Sequence, residues 1–235
     1  MADSGDSNNN TNQTSRRLRS KAQEKAITQG KLVETTNSLT CVEFFDKFAL
    51  ELPLTPQVKN TGNALIVDRA FEDASTISKH VHEKCLDLIE QTSAHDYRNS
   101  ETGWSRSKKK KEMKLPDMKY IIFKDERSED VAGFVSFMVT YEDGFEVIYV
   151  YEIHLAAEWQ AQGLGKSLML AMEAISKNVG VEKVMLTVFK SNHRAVDWYR
   201  KLGYVEDEFS PQARKLRNGT VKESTYIILS KALKK

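Results

Sequence analysis

Cysteine is nearly absent: Cys41 and Cys85 are the only two in 235 residues, and they stand far apart. Two such thiols make no disulfide framework and fit buried side chains in a reducing compartment. No run of 18 apolar residues occurs anywhere, which excludes a spanning helix, and the polar stretch from Met1 to Asn12 has no apolar core of the kind a signal peptide needs. Nucleus and cytoplasm are the expected locations. An excess of one charge is also missing. Thirty-five Lys and Arg face 33 Asp and Glu, a net charge of +2, although 29% of the residues are charged. The chain as a whole is therefore no polyelectrolyte for nucleic acid, and any basic function has to be local. His, Cys, Asp and Glu form no cluster at metal-ligand spacing, so no metal is expected.

What is present centres on the stretch from Tyr149 to Lys166. Tyr149 to Leu155 is β-branched and aromatic, the composition of a strand. It leads into Gly163-Leu164-Gly165, after which Leu164, Leu168, Ala171, Met172 and Ile175 recur at helical spacing. Glycines at a strand-to-helix turn let a ligand approach the backbone. Free N–H groups at the helix start bind phosphate with help from the helix dipole. A tight turn alone would also demand glycine. The third glycine of the dinucleotide fingerprint is missing, and the P-loop pattern fails. Further on, Lys183 to Phe189 reads as a second buried strand. Asn192 is placed to cap a helix carrying Ala195 and Tyr199 on one face, and Gly203 to end it.

Taken together, Gln160-Ala161-Gln162-Gly163-Leu164-Gly165 and the Asn192, Ala195, Tyr199, Gly203-Tyr204 series resemble the two signatures of the GNAT acetyltransferase superfamily. The resemblance implies an α/β fold with a central mixed and mostly antiparallel twisted sheet flanked by helices. It also implies acetyl-CoA as cosubstrate, held by Ile153, His154, Leu155, Gln160, Ala161, Gln162, Gly163, Leu164, Gly165, Lys166, Asn192 and Tyr199.

The length suits one sizeable domain plus extensions. Residues 1–14 read as a disordered polar tail. Residues 15–60 read as an extension whose basic start, Arg16 to about Lys31, is either a solvated helical face or an import address. Its apolar residues Val42, Phe44, Phe45, Phe48 and Leu50 pack on the domain formed by 61–235. The first strand is expected at about Ala64 to Ala70, and a long helix from about Ala74 with a buried stripe of Ile77, Val81, Cys85, Leu88 and Ile89. His80 and His82 fall off that stripe and are expected to face solvent. Thr92 to Trp104 reads as a loop. Arg106 and Lys108 to Lys111 form the densest basic run, read as a solvated loop, an import signal or a phosphate contact. It lacks the interleaved aromatics of a base-stacking surface, so direct nucleic-acid binding is not expected. Met118 to Phe123 and Val131 to Tyr141 alternate as antiparallel strands, and Asp143-Gly144 supplies a hairpin turn.

Acetyl transfer requires a neutral amine. A lysine, with a pKa of about 10.4, costs about 4 kcal/mol to deprotonate near pH 7.4, whereas an α-amine at about 7.7–8.0 costs less than about 1 kcal/mol. One carboxylate therefore suffices for an α-amine, and Glu152, in the central strand among Tyr149, Tyr151 and His154, is the candidate base. The strand Tyr149-Val150-Tyr151-Glu152, the run Lys183 to Lys190 and Gly103-Trp104 are similar to the NatD-type N-α-acetyltransferases, which modify histone tails beginning Ser-Gly-Arg-Gly. The resemblance spans about residues 75–230 and implies Glu152 and Tyr199 as catalytic residues. It also implies a peptide groove of Trp104, Thr140, Glu142, Tyr149, Tyr151, Glu152, Thr187 and Tyr226, with Glu142 and Glu146 holding the substrate's arginine. Thr140 departs from an expected aspartate, and Tyr199 from the Phe of that group. The implied partner is a histone tail, with no membrane, and the chain is expected to act as a monomer. A lysine or small-amine acetyltransferase, or a non-catalytic CoA- or chromatin-binding module, uses the same fold.

Overall fold

The structure, a computed structural model, describes residues 32–49, 52, 67–126, 128, 130–215 and 217–233. The polar tail, the basic stretch ending near Lys31, and Leu50 lie outside the described residues. Four strands, β1 (Val67–Asp73), β2 (Lys119–Asp125), β3 (Val131–Glu142) and β4 (Phe145–Leu155), run antiparallel in chain order. Asp143 and Gly144 take φ of 49° and 88° between β3 and β4, the two positive values that a tight hairpin requires. The chain then crosses over through a helix, Leu164–Val179, and adds β5 (Lys183–Phe189) parallel to β4. Next come β6 (Val205–Glu206), the small ribbon of β7 (Arg214–Lys215) and β8 (Val221–Lys222), and β9 (Tyr226–Ala232). The main sheet has the order β1-β2-β3-β4-β5-β9-β6 and is mixed but mostly antiparallel, as expected.

Helices cover both faces. On one side lie α1 (Leu32–Asn37), α2 (Cys41–Phe48) and the crossover helix; on the other lie α3 (Lys79–Arg98) and α4 (Arg106–Glu112). The crossover helix is α5, and α6 (His193–Lys201) follows β5. In α2, Thr40 and Glu43 cap reciprocally, and Phe44, Phe45 and Phe48 are buried against the sheet, with Phe45 stacked on Phe71 at 4.4 Å. Val42 points outward at 69% exposure. The extension thus packs through its phenylalanines. Cys41 and Cys85 are buried and free, as expected.

Several expectations need correction. The first strand is described over Val67–Asp73, running past the expected end at Ala70, while Ala64 to Ile66 lie outside the described residues. The long helix starts at Lys79, because the Asp73 carboxylate accepts the N–H groups of Ser75 and Thr76 and holds a turn there. Ser78 then caps the helix. It runs to Arg98 and absorbs half of the expected loop, since no glycine or proline intervenes before Asn99. Of the expected stripe Ile77, Cys85, Leu88 and Ile89 are buried and Val81 is half-buried, but Leu86 and His82 are buried with them, so His82 does not face solvent, whereas His80 does. The basic run is a helix, capped by Ser105, rather than a loop.

Two departures from regular pairing shape the centre. Between β3 and β4, Ser136 opposes Glu152 and Phe137 opposes Val150, which leaves Tyr151 as an extra, bulged residue. Tyr149 opposes Met138, so Tyr149 and Glu152 share a face although they are three positions apart. Between β4 and β5, pairing covers only Val147–Val150 with Lys183–Leu186. Beyond it the two strands part and line opposite sides of a cleft.

Gly133 seats the end of β4: a Cβ there would run into Leu155 Cδ2 and lie 2.8 Å from the His154 carbonyl oxygen. Gly133→Ala is expected to lower stability by about 1–3 kcal/mol through overpacking. Denaturant unfolding checks this, and an unchanged midpoint would contradict it.

Candidate active site

The cleft, about 1220 Å³, opens where β4 and β5 part. At one end the chain leaves β4 through a short turn, Ala157–Trp159, and takes φ of 59° at Ala161 and 93° at Gly163 before α5 begins. The first bond into α5 runs from the Ser167 N–H to the Gly163 carbonyl at 3.0 Å. The N–H groups of Leu164, Gly165 and Lys166 therefore have no acceptor within the helix, and this is an anion cradle made of backbone. Gln160 fixes the loop by donating its side-chain amide to the Leu155 carbonyl at 3.1 Å. A Cβ on Gly165 would meet Leu155 and Trp198 at 3.4 Å, so this glycine serves the packing of α5 against α6. Across the cleft Asn192 caps α6, its Oδ1 accepting the Ala195 N–H at 3.1 Å. Lys166 and Arg194 add positive charge to the lining.

Of the residues assigned to the cosubstrate, Ile153, His154, Leu155, Gln160, Ala161, Gly163, Gly165, Lys166, Asn192 and Tyr199 line this cleft. Gln162 and Leu164 do not. The Gln162 amide is turned to the Glu158 carbonyl, and Leu164 is wholly buried in the core; at those two positions only the main chain can serve.

A second cavity of about 480 Å³ adjoins the first, and Tyr97, Tyr151, Thr187 and Phe189 line both. Its other walls include Trp104, Lys109, Glu112, Glu142 and Tyr149. Trp104 is a wall, as expected, held by its indole N–H on Glu90 Oε1 at 3.0 Å. The hydroxyls of Tyr149 and Thr187 bond across the gap between the strands. Glu142 faces this cavity, and its carboxyl is pushed above the ordinary value by burial and by Asp143. Thr140 and Tyr226 are not among the lining residues. Glu146 is buried, and the alternation of β4 sends it to the side of the sheet opposite Tyr149, so it cannot assist Glu142.

Glu152 lines the first cleft with only 6% exposure, and its partners Lys109 and Tyr97 line the second cavity. Its Oε1 accepts from the Lys109 ammonium at 2.6 Å and the Tyr97 hydroxyl at 3.0 Å, and its Oε2 contacts His154 Nε2 at 2.6 Å. The Thr92 hydroxyl lies 2.6 Å from His154 Nδ1 and donates to the Leu88 carbonyl at 2.7 Å. Beside an ionised carboxylate the Nε2 position is a donor, so His154 gives its Nε2 proton to Glu152. Burial alone would push the Glu152 carboxyl up; the His154 hydrogen bond and the Lys109 charge override it and hold it well below the usual carboxylate range. A carboxylate has about four lone-pair directions, and three are taken here. The remaining one, on Oε2, is the open acceptor position.

Tyr199 is buried in the cleft beside Trp198 and Tyr204, and burial, then the Glu152 charge, pushes its phenol up. It is therefore a proton donor and not a phenolate.

Lys109, Tyr97 and Thr92 belong to this site and went unrecognised in the sequence. Lys109 stood inside a run of four lysines, and nothing in that run singles out its inward member. The available signal was Ser105, an N-cap residue followed by seven residues without a breaker, which marks a helix with an inner face. In that helix Arg106 bonds Glu83, Asp87 and Glu90, and Lys110 bonds Glu83. Only Lys108 and Lys111 of the run stay fully exposed. Most of its charge is thus spent inside the molecule.

Comparison with known proteins agrees with this geometry. A model of the acetyltransferase (GNAT) family matches residues 86–204, from mid-α3 to the end of α6, about half of the chain. N-alpha-acetyltransferase 40 of Saccharomyces cerevisiae is 29% identical over 155 residues, covering 56% of this chain and 54% of that protein, so the chain spans about half the length of this curated relative. Among solved structures, a GNAT-family acetyltransferase from Staphylococcus aureus Mu50 superposes with a TM-score of 0.52 at 9% identity, over 71% of this chain and all of that one. The PaiA N-acetyltransferase of Thermoplasma acidophilum, solved with coenzyme A, gives 0.50 at 15% identity over 70% and 99%. These two share the fold with it. The matched span carries β4, the glycine cradle, the parting of β4 and β5, and the Asn192-capped helix, and the chain accordingly belongs to the GNAT acetyltransferase family.

Proposed function

We propose that the protein transfers the acetyl group of acetyl-CoA to the α-amine of a basic protein N-terminus, with histone tails beginning Ser-Gly-Arg-Gly as the substrate. The observation that carries this reading is the ionised Glu152, buried in the wall of the donor cleft and bonded to Lys109 and Tyr97 of the adjoining cavity. The α5 cradle suits the cosubstrate's pyrophosphate, and Lys166 and Arg194 suit its remaining phosphate charge. When bound, acetyl-CoA supplies an activated thioester carbonyl. The resemblance of part of the chain to an N-α-acetyltransferase supports an α-amine as acceptor.

The division of roles follows from the side chains. Glu152 accepts a proton at the open position of Oε2 as the attacking amine becomes acidic on bonding to carbon. An α-amine is already partly neutral near pH 7.4, so a carboxylate of low basicity is enough, whereas a lysine would need a stronger base. Tyr199, still protonated and lining the cleft, is the proposed donor to the departing sulfur. Trp104, Tyr149, Tyr151 and Thr187 wall the peptide's entry. Glu112 is paired with Lys109, so Glu142 is the carboxylate of that cavity which suits an arginine near the substrate's start. The internal use of Arg106, Lys109 and Lys110 argues against a chromatin-binding module built on the basic run.

Mass spectrometry of a Ser-Gly-Arg-Gly peptide incubated with acetyl-CoA should show one acetyl group on the α-amine and none on the same peptide with that amine blocked. Acetylation of the blocked peptide at a lysine would move the assignment to a lysine acetyltransferase. No acetylation of any amine would leave a CoA-binding module.

Glu152→Gln should lower kcat by about 10²-fold, the low end for a positioned base. In the wild type Glu152 stays ionised as pH falls, because its folded pKa is depressed. The rise of kcat/KM should therefore follow only the amine, near pH 7.7–8.0. Full turnover by Glu152→Gln at pH 7 would send the proton by another route, through His154 or solvent.

A further inference from the structure

The helix α4 presents one cation inward. Lys109 is only 7% exposed, its Nζ lying 2.6 Å from Glu152 Oε1, 2.8 Å from Glu112 Oε1 and 4.8 Å from the centre of the Tyr97 ring. A seven-residue helix has little stability of its own in water. This one is held from outside, because Glu83, Asp87 and Glu90 form an acidic stripe on α3 at i, i+4 and i+7 and Arg106 binds all three, at 3.1, 2.6 and 2.6 Å. The clamp sits three residues before Lys109 and fixes the approach of its ammonium to the strand.

We propose that Lys109 is a positioning residue, delivered by the clamped helix α4, that keeps Glu152 ionised and its Oε1 occupied so that only Oε2 faces the acceptor amine. This rests on the reading of Glu152 as the proton acceptor. The charged and titratable groups around that carboxylate come from five elements: Tyr97 on α3, Lys109 and Glu112 on α4, Tyr120 on β2, His154 on β4 and Tyr199 on α6. Three of these are phenols pushed up by burial, hence neutral. Glu112 is a second carboxylate on the Lys109 ammonium, and His154 bonds the other oxygen of Glu152. Lys109 is the remaining cation, and although burial alone would lower its ammonium, Glu152, Tyr97 and Glu112 together hold it above the ordinary lysine value. Without it, only the hydrogen bonds of His154 and Tyr97 oppose the burial of this carboxyl, and its pKa moves upward.

The sign of the effect follows. In the wild type Glu152 has a depressed pKa, so no acid limb from it enters the working range. In Lys109→Met the carboxyl should titrate between about pH 5 and pH 8, and kcat should fall roughly tenfold or more at pH 7 with an acid limb appearing in the profile. Lys109→Arg, which keeps the cation, should restore most of both. Acetyl-CoA affinity by calorimetry should not change, since Lys109 lines the acceptor cavity and not the donor cleft. The carboxyl carbon shift of Glu152, followed by NMR against pH, gives a readout that needs no substrate. It should be flat above about pH 4 in the wild type and should titrate in Lys109→Met. Should Lys109→Met fail to fold, Arg106→Met, which keeps Lys109 but loosens α4, should show the same upward movement to a smaller extent. A Lys109→Met protein with wild-type kcat and a flat Glu152 shift would overturn the proposal. A moving shift with no acetylation of any peptide would keep it and remove the functional reading instead.

Discussion

A carboxylate buried to 6% exposure is the constraint around which the rest is arranged. Taking an ion out of water costs several kcal/mol, and only close opposite charge with well-placed hydrogen bonds offsets it. Glu152 has both: Lys109 and Tyr97 on one oxygen and His154 on the other. Each partner needs its own support. Lys109 needs α4, which needs the Arg106 clamp on α3. Tyr97 needs α3 to reach its full length to Arg98, and His154 needs Thr92 on the same helix. Lengthening or shortening α3 by a residue would turn both away by about 100°. The pair of helices is therefore as much a part of the site as the strand that bears the acid.

The donor half works differently. It is made of main chain: positive φ at Ala161 and Gly163, three N–H groups without intrahelical acceptors, and an Asn cap across the cleft. Such features are written in a handful of adjacent residues, and this is why they could be read from the sequence. The β5 strand, the α5 stripe of Leu164, Leu168, Ala171, Met172 and Ile175, the Asp143-Gly144 turn and the Asn192 cap lie where their local pattern put them.

What could not be read depends on contacts between distant segments. The inward turn of Lys109 is decided by Glu152, 43 positions away, and by three carboxylates on α3. His82 falls outside the apolar stripe of Cys85, Leu88 and Ile89, yet the buried face of the helix is wide enough to take it in together with Leu86. The bulge at Tyr151, which puts Tyr149 and Glu152 on one face, leaves no mark in an alternating run of aromatic and aliphatic residues. Thr140 and Tyr226 were carried over from a family pattern, and neither lines the cavities. Glu146 was grouped with Glu142 by proximity in sequence, which a strand's alternation defeats.

The central claim is that the acceptor amine meets Oε2 of an ionised Glu152, from the side of the second cavity. The most direct test is a crystal structure with a conjugate that joins coenzyme A to the α-nitrogen of a Ser-Gly-Arg-Gly peptide. The account predicts the CoA pyrophosphate on the N–H groups of Leu164 to Lys166, and the peptide nitrogen within about 3.2 Å of Oε2, directly or through one water, while Lys109 and Tyr97 remain on Oε1. A peptide nitrogen far from Glu152, or a Glu152 released from Lys109 and turned away, would contradict it.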